Sequence, residues 1–468
     1  MRTDPLDRYA AFTDGEALKK ASRRPLRPSL RVNLLKTSVQ AFKERADKRR
    51  WKLEQVPWCN EGFFVEAAKN ETIGRDLLHR IGYFYIQEAA SMLPVALLDP
   101  KPGEKILDLC AAPGSKTTQI ASKMQGKGVV VANDVQEKRL WVLRSSLQRS
   151  GVTNAIVTKR VGQGFAKWTE QFDRVLCDAP CTALGTSRKD SDAILKMNDA
   201  GIRKLAGLQL QLLEAAIHTA KVGGRIVYST CTLTWEENEE LVLQILNKFS
   251  DQISVLDAGL IINNEEIKIA LEDSIELQKK LKLTSAPKPF LRLWPHRLDT
   301  EGFFCAVLQK KASTRDPVPL KLQAFLQRPL SSRDRDYFAS GLTEEFGTSF
   351  LQEGEILFTA ADQISVLSPE AASFLLPFTN YALGLPFGRI REDRMRLSHE
   401  LVIHRGLRAT KKIHAIPESD MASLFRGQEI PCSPDFRGDI ILTHDGLPLG
   451  IGMAKEGRVR HRFPGYFL

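Results

Sequence analysis

Between residues 85 and 310, short apolar runs alternate with stretches of helical periodicity. Residues 105–110, 128–134, 154–159, 174–178 and 225–231 read as strands, with 303–308 as a last one. Brief Val/Ile/Leu runs bounded by turn residues suit strands covered on both faces. Residues 117–124 and 137–150 read as helices between them. Leu205, Leu208, Leu212 and Ala216 place another helix before Gly223-Gly224, which is expected to stop it. This alternation predicts an α/β fold with a Rossmann-like, doubly wound parallel sheet over residues 81–310.

The flanks follow other patterns. In residues 1–80, strands at 30–35 and 62–65 enclose a basic helix at 39–50, predicting a small α+β unit. Residues 310–321 have a linker's composition, so 311–375 are expected to hold a linker and a small subdomain. Residues 376–468 are expected to form a further domain, with short strands, many glycines and basic clusters at 389–396 and 458–462. There is no internal repeat.

Charge adds a partner class. Sixty-seven Lys+Arg against 56 Asp+Glu leave a formal +11, which favours a polyanion such as a nucleic acid. Runs such as Lys19-Lys20 and Lys48-Arg49-Arg50 fit a solvated face equally well. The seven cysteines show no CxxC spacing and the histidines do not cluster with them, so no metal site is expected. The start carries no signal-peptide pattern and no run is long enough to span a membrane. A cytoplasmic setting with free thiols and no membrane partner is expected.

Ligands of open α/β sheets sit beyond the carboxyl ends of the strands. The first strand ends in Asp108-Leu109-Cys110-Ala111-Ala112-Pro113-Gly114-Ser115-Lys116-Thr117, where small residues admit a ligand close to backbone before a helix start. Neither the dinucleotide glycine fingerprint nor a true P-loop is present. The second strand ends in Asp134, suited to accept from the two hydroxyls of a ribose. The fourth ends in Cys177-Asp178-Ala179-Pro180-Cys181 and the fifth in Ser229-Thr230-Cys231-Thr232, aiming two thiols at one crevice. Cys177 faces the other side of its strand and reads as core. The residues alone leave open which thiol attacks.

These strings resemble motifs of the NOL1/NOP2/Sun family of RNA cytosine-5 methyltransferases. The likeness rests on the 108–117 string, on Asp178-Ala179-Pro180-Cys181, and on Tyr228-Ser229-Thr230-Cys231-Thr232 with Glu237-Asn238-Glu239 after it. Tyr85-Ile86-Gln87-Glu88-Ala89-Ala90-Ser91-Met92 resembles the segment before the family's first strand, and 292–296 with Gly302-Phe303-Phe304 its last hairpin. Gly446-Leu447-Pro448-Leu449-Gly450, the stretch through Arg458 to Phe463-Pro464, and Leu397-Ser398-His399-Glu400-Leu401 resemble the PUA-like end of the RsmF-like bacterial rRNA subgroup.

The resemblance implies S-adenosylmethionine as cofactor, over Cys110, Ala111, Ala112, Pro113, Gly114, Ser115 and Lys116, with Asp134 on its ribose and Asp178 near its methionine end. It implies Cys231 as nucleophile on carbon 6 of the cytosine, Asp178 at N3, and Cys181 in release of the product. It also implies an RRM-like RNA-binding unit at the amino end and a PUA-like one at the carboxyl end. The expected partner is RNA, namely rRNA or the small ribosomal subunit, and the chain is expected to act as a monomer. One departure stands out: 159–163 reads Lys-Arg-Val-Gly-Gln, without the family's usual acidic residue near adenine, which leaves backbone groups or Gln163 for that task. The alternatives are a tRNA target or, in another class, a non-catalytic ribosome assembly factor; the intact Cys181, Cys231, Asp178 and Asp134 weigh against the latter.

Overall fold

The computed structural model describes residues 4–68, 72–188 and 198–467. Its centre is a mixed sheet of β1 (Lys105–Asp108), β2 (Val129–Asp134), β3 (Ala155–Lys159), β4 (Phe172–Asp178), β5 (Ala220–Thr230), β6 (Ile253–Val255) and β7 (Phe303–Lys310). The order is β6-β7-β5-β4-β1-β2-β3; β1 to β5 are parallel, and β7 runs antiparallel between β5 and β6. The order reverses at β1 and β4, which opens a crevice at their carboxyl ends.

Alternation along each strand builds two cores. Ile106, Val130, Val157, Leu176 and Val227 face helices α1 (Ala89–Leu98), α2 (Ser115–Lys123) and α3 (Glu137–Ser150). Leu107, Val131, Ile156, Val175, Cys177 and Tyr228 face α4 (Asp199–Thr219) and α5 (Glu239–Lys248). Cys177 is therefore core, as its side of the strand indicated. The doubly wound expectation holds for β1 to β5, with two corrections, the first being that the last strand, β7, runs antiparallel and makes the sheet mixed. Gly223-Gly224 do not stop the helix: α4 ends at Thr219, and both glycines lie within β5, where the β4–β5 register shifts. Gly223 takes a φ of +84°, so the pair serves an irregular strand entry that has the same composition as a helix stop.

The amino-terminal sheet combines Ser29–Val32, Lys52–Gln55, Gly62–Glu66 and Phe84–Ile86, with the first and third strands central. Its last strand lies beyond residue 80, where the unit was expected to end. Chain pairing sets that limit: Leu30 stands opposite Ile86, and Val32 opposite Phe84. The boundary expected at 375 is also displaced. One five-stranded sheet runs from Arg328–Pro329 to Arg394–Leu397, straight across it, and a second contains Gly438–His444 and Leu447–Lys455. Between the first sheet's strands, Ala382–Leu383 leaves to pair with the edge of β3, so this part of the chain belongs to two sheets at once.

The ends of the chain meet. Leu30, Val32, Phe42 and Phe84 share one apolar cluster with Ile403, Ile440, Leu449 and Phe463, and Arg80 donates to the carbonyl of Phe467 at 2.7 Å. The amino-terminal sheet is also tied to the catalytic unit by Arg31, which is buried. Its guanidinium donates to Ser115 O at 2.8 Å, to Thr118 Oγ1 at 2.9 Å and to Gln87 Oε1. Replacing Arg31 by Met keeps an unbranched stem but removes the guanidinium and strands those buried acceptors. Urea unfolding of Arg31→Met should show a loss of about 2–3 kcal/mol; a change below about 0.5 kcal/mol would show that this link carries no load.

Candidate active site

The crevice is formed by four strand ends. After β1, Gly114 takes a φ of +107° and precedes α2 without a capping side chain, so the first-turn N–H groups face outward. A Cβ at Gly114 would lie 3.0 Å from Leu143 Cδ1 and 3.1 Å from Ser146 Cβ, which presses the loop onto α3. Beyond β2, Asp134 Oδ2 accepts from Ala112 N at 3.3 Å and faces Arg139 at 3.4 Å, while Oδ1 accepts from Gln136 N at 2.9 Å. Asp134 thus holds the 110–116 loop against its own strand end.

Lys116 points into the crevice. Its Nζ meets Asp178 Oδ2 at 2.7 Å, and Ser229 Oγ donates to Asp178 Oδ1 at 2.7 Å. The residues that carry Asp178 on β4 and Ser229 on β5 are directly paired in register. Burial alone would lower the Lys116 ammonium, but the charge and hydrogen bond of Asp178 outweigh it and hold Lys116 above its ordinary value. Beneath lies Asp108, bonded by Thr117 Oγ1 at 2.7 Å. Burial pushes its carboxyl up to about 7, with repulsion from Asp178 and Asp134 adding to the effect. Its Oδ1 has no partner among the described residues.

Cys181 and Cys231 come together, with their sulfurs 3.4 Å apart. The hydrogen bond shared with Cys231, then burial, pushes the Cys181 thiol well above its usual range. Cys110 is half-buried against the second core. Gln163 turns aside, its amide donating to Gln211 at 3.2 Å.

What holds the two sulfur loops is a residue whose role the sequence did not disclose. Glu237 is fully buried and its carboxylate collects four donors. Thr182 N (3.0 Å) and Gln209 Nε2 (2.8 Å) reach Oε1, while Thr182 Oγ1 (2.6 Å) and Thr234 Oγ1 (2.5 Å) reach Oε2. Thr182 follows Cys181, and its hydroxyl also meets that of Thr232, which follows Cys231, at 2.7 Å. Gln209 in turn donates to Pro180 O at 2.8 Å. Next along, Asn238 bonds Thr230 and Thr232, and Glu239 forms a wholly buried ion pair with Arg292 at 2.5 Å. From the other side, Gly185 N donates to Cys231 O at 3.0 Å, and a Cβ there would lie 2.1 Å from Gly302 O. Glu237, Asn238 and Glu239 were visible only as a motif; within the acidic run Glu236 to Glu240 nothing in the sequence marked which carboxylates are buried.

The strand order and the glycine-bearing β1 loop, opposed by an acid at the end of β2, define a Rossmann-like methyltransferase. Comparison with known proteins narrows this. The family described as 16S rRNA methyltransferase RsmB/F matches residues 95–309, and the N-terminal domain of 16S rRNA methyltransferase RsmF matches residues 8–89. The chain is 34% identical over 453 residues to ribosomal RNA small subunit methyltransferase F of Aliivibrio fischeri, covering 95% of this chain and 92% of that protein. It is 35% identical to the protein of the same name from Aeromonas salmonicida, over 94% and 91% of the two chains. A crystal structure of a methyltransferase homolog from Pyrococcus horikoshii matches at a TM-score of 0.55 and 36% identity, over 65% of this chain and 93% of that one. The chain belongs to the RsmB/F family of RNA methyltransferases. It is an enzyme, and S-adenosylmethionine is its cofactor.

Glu237→Gln would turn an amide N–H₂ toward donors and break part of the brace. We expect methyl transfer to fall at least about tenfold, since loss of one or two buried hydrogen bonds is worth about 1.4 kcal/mol or more, while cofactor binding by calorimetry stays within about twofold. Full activity in a folded variant would show that the sulfurs keep their places without it.

Proposed function

We propose that the enzyme methylates carbon 5 of a cytosine in small-subunit rRNA through a covalent adduct between Cys231 and carbon 6. The observation that carries this is the pairing of Cys181 and Cys231 at 3.4 Å beside an Asp178 held on both oxygens. The names of relatives matched over nearly the whole chain favour rRNA over tRNA. RRM-like strand order at the amino end and a PUA-like tail would grip the surrounding RNA, largely through shape and phosphate. The site is complete within one chain, so a monomer suffices, working in the cytoplasm where ribosomal subunits are found.

The residues present fit the cofactor. The uncapped start of α2, the close-packed Gly114 and an Asp108 Oδ1 unpartnered among the described residues leave polar groups that a ligand can use. The loop from Cys110 to Lys116 would hold it, with Asp134 at the ribose and Asp178 toward the methionine end. S-adenosylmethionine supplies an electrophilic methyl group there.

Carbon 5 of cytosine is too weak a nucleophile unaided, and adding a thiolate at carbon 6 makes it enamine-like. Cys231, once its thiol proton has passed to solvent, makes that bond to a base turned out of its stack. Asp178, oriented by Lys116 and Ser229, accepts the hydrogen bond of N3 once N3 has taken a proton from solvent, and so stabilises the charge that develops in the ring. Cys181 can then give up its proton to solvent and accept the one leaving carbon 5, after which Cys231 is eliminated.

Cys231→Ala should abolish tritiated-methyl transfer to 16S rRNA yet bind S-adenosylmethionine normally; retained turnover would reject the nucleophile. Cys181→Ala should accumulate a protein–RNA adduct visible as a shifted band on a denaturing gel, and an active variant without that band would reject the release role. Bisulfite sequencing of ribosomal and transfer RNA from a strain lacking the gene tests the target. Loss of a cytosine mark from tRNA alone would overturn the rRNA assignment, and no transfer to any RNA would favour an assembly factor.

A further inference from the structure

The hairpin formed by Leu385–Arg391 and Arg394–Leu397 carries four exposed arginines. Arg389 stands directly opposite Arg396, and Arg391 opposite Arg394. Like charges in register destabilise a hairpin, and the fold relieves them little. Among the described residues, Arg391 has a carboxylate neighbour, Asp362 at 3.0 Å, and the other three have none within ion-pair distance. Arrangements that oppose folding in this way are kept where they serve a function.

The arginine face borders a cleft of about 660 Å³ between this sheet and helix α3. From the α3 side comes Arg144, whose Nε is buried and unpartnered among the described residues. Its guanidinium lies 5.4 Å from the Trp141 ring and 6.0 Å from that of Tyr381. Arg462, paired with Asp439 at 3.0 Å, completes the rim. Arg144, Arg389, Arg391, Arg396 and Arg462 thus line the cleft against a single carboxylate, Glu400. Trp141 is 61% exposed, unusual for so large an apolar ring.

We propose that this cleft seats a length of the RNA substrate's sugar–phosphate backbone, away from the flipped base. The inference rests on the RNA methyltransferase function proposed above and adds a place for the strand. Guanidinium forks match phosphate oxygens two at a time. Aromatic faces beside them offer stacking to unpaired bases, a combination that favours nucleic acid over an acidic peptide. The route to the site is short along α3, which starts beside the Asp134 carboxylate and carries Arg139, Trp141 and Arg144 in turn.

The test compares wild type with Arg389→Gln/Arg396→Gln and with Arg144→Gln, using a fluorescein-labelled 16S rRNA transcript over a salt series. Arg333→Gln/Arg335→Gln, at exposed positions outside the cleft, controls for lost charge. The cleft double variant should bind about tenfold more weakly, and its slope of log affinity against log salt should drop by roughly 1–2. KM for RNA should rise with kcat unchanged at saturating RNA, and thermal stability should hold or increase because the opposed charges are gone. A folded variant with the wild-type salt slope and KM overturns the proposal. So does weakened binding to assembled small subunits with naked transcript unaffected, which would assign the cleft to a protein. Wild type that transfers no methyl to any RNA rejects the RNA methyltransferase function itself, whereas active wild type matched by the variants rejects the cleft alone.

Discussion

Four hydrogen bonds converge on the buried carboxylate of Glu237, and the geometry of both crevice sulfurs depends on them. A carboxylate taken out of water is costly unless its lone pairs are filled. Here every donor comes from a segment that must be held: the backbone and hydroxyl of Thr182 beside Cys181, Thr234 beyond Cys231, and Gln209 on α4. The charge therefore acts as a clasp between two loops that leave neighbouring strands. The buried Glu239–Arg292 pair fastens the same segment to the hairpin before β7, since Arg292 also donates to Leu233 O at 2.8 Å.

Within that frame the site works as one charge system. Lys116 is spent on Asp178 and Arg139 faces Asp134, so neither cation bonds Asp108. Asp108 is left to burial, which is why its carboxyl titrates near 7. The paired thiols divide in the same manner: the bond to Cys231 and burial keep the proton on Cys181. The tertiary fold thus holds one of two chemically identical groups in its protonated form.

The flanking units are not beads on a linker. An apolar cluster joins strands near residue 30 to strands near residue 440, and Ala382–Leu383 extends the catalytic sheet at β3. Either end of the chain therefore has a set position relative to the crevice. The arginine hairpin belongs to this part of the chain, and strand register sets the basic residues of the 389–396 cluster face to face.

Much was legible in the chain itself. The parallel core could be read because each strand there is a compact apolar run that both cores require, and Asp134, Asp178, Cys181 and Cys231 could be located because strand ends are where such sheets place chemistry. The domain limits at 80 and 375 were misjudged because pairing partners such as Leu30 and Ile86 are far apart in sequence, and composition does not report who pairs with whom. Gly223-Gly224 could not be told from a helix stop, since both uses exploit the same freedom of φ. The function of Glu237, the 3.4 Å approach of the sulfurs and the facing arginines of the hairpin were decided only by tertiary structure. Local sequence specifies which groups are present and on which side of a strand they stand, whereas hydrogen bonds and charge contacts depend on distances that long-range packing sets.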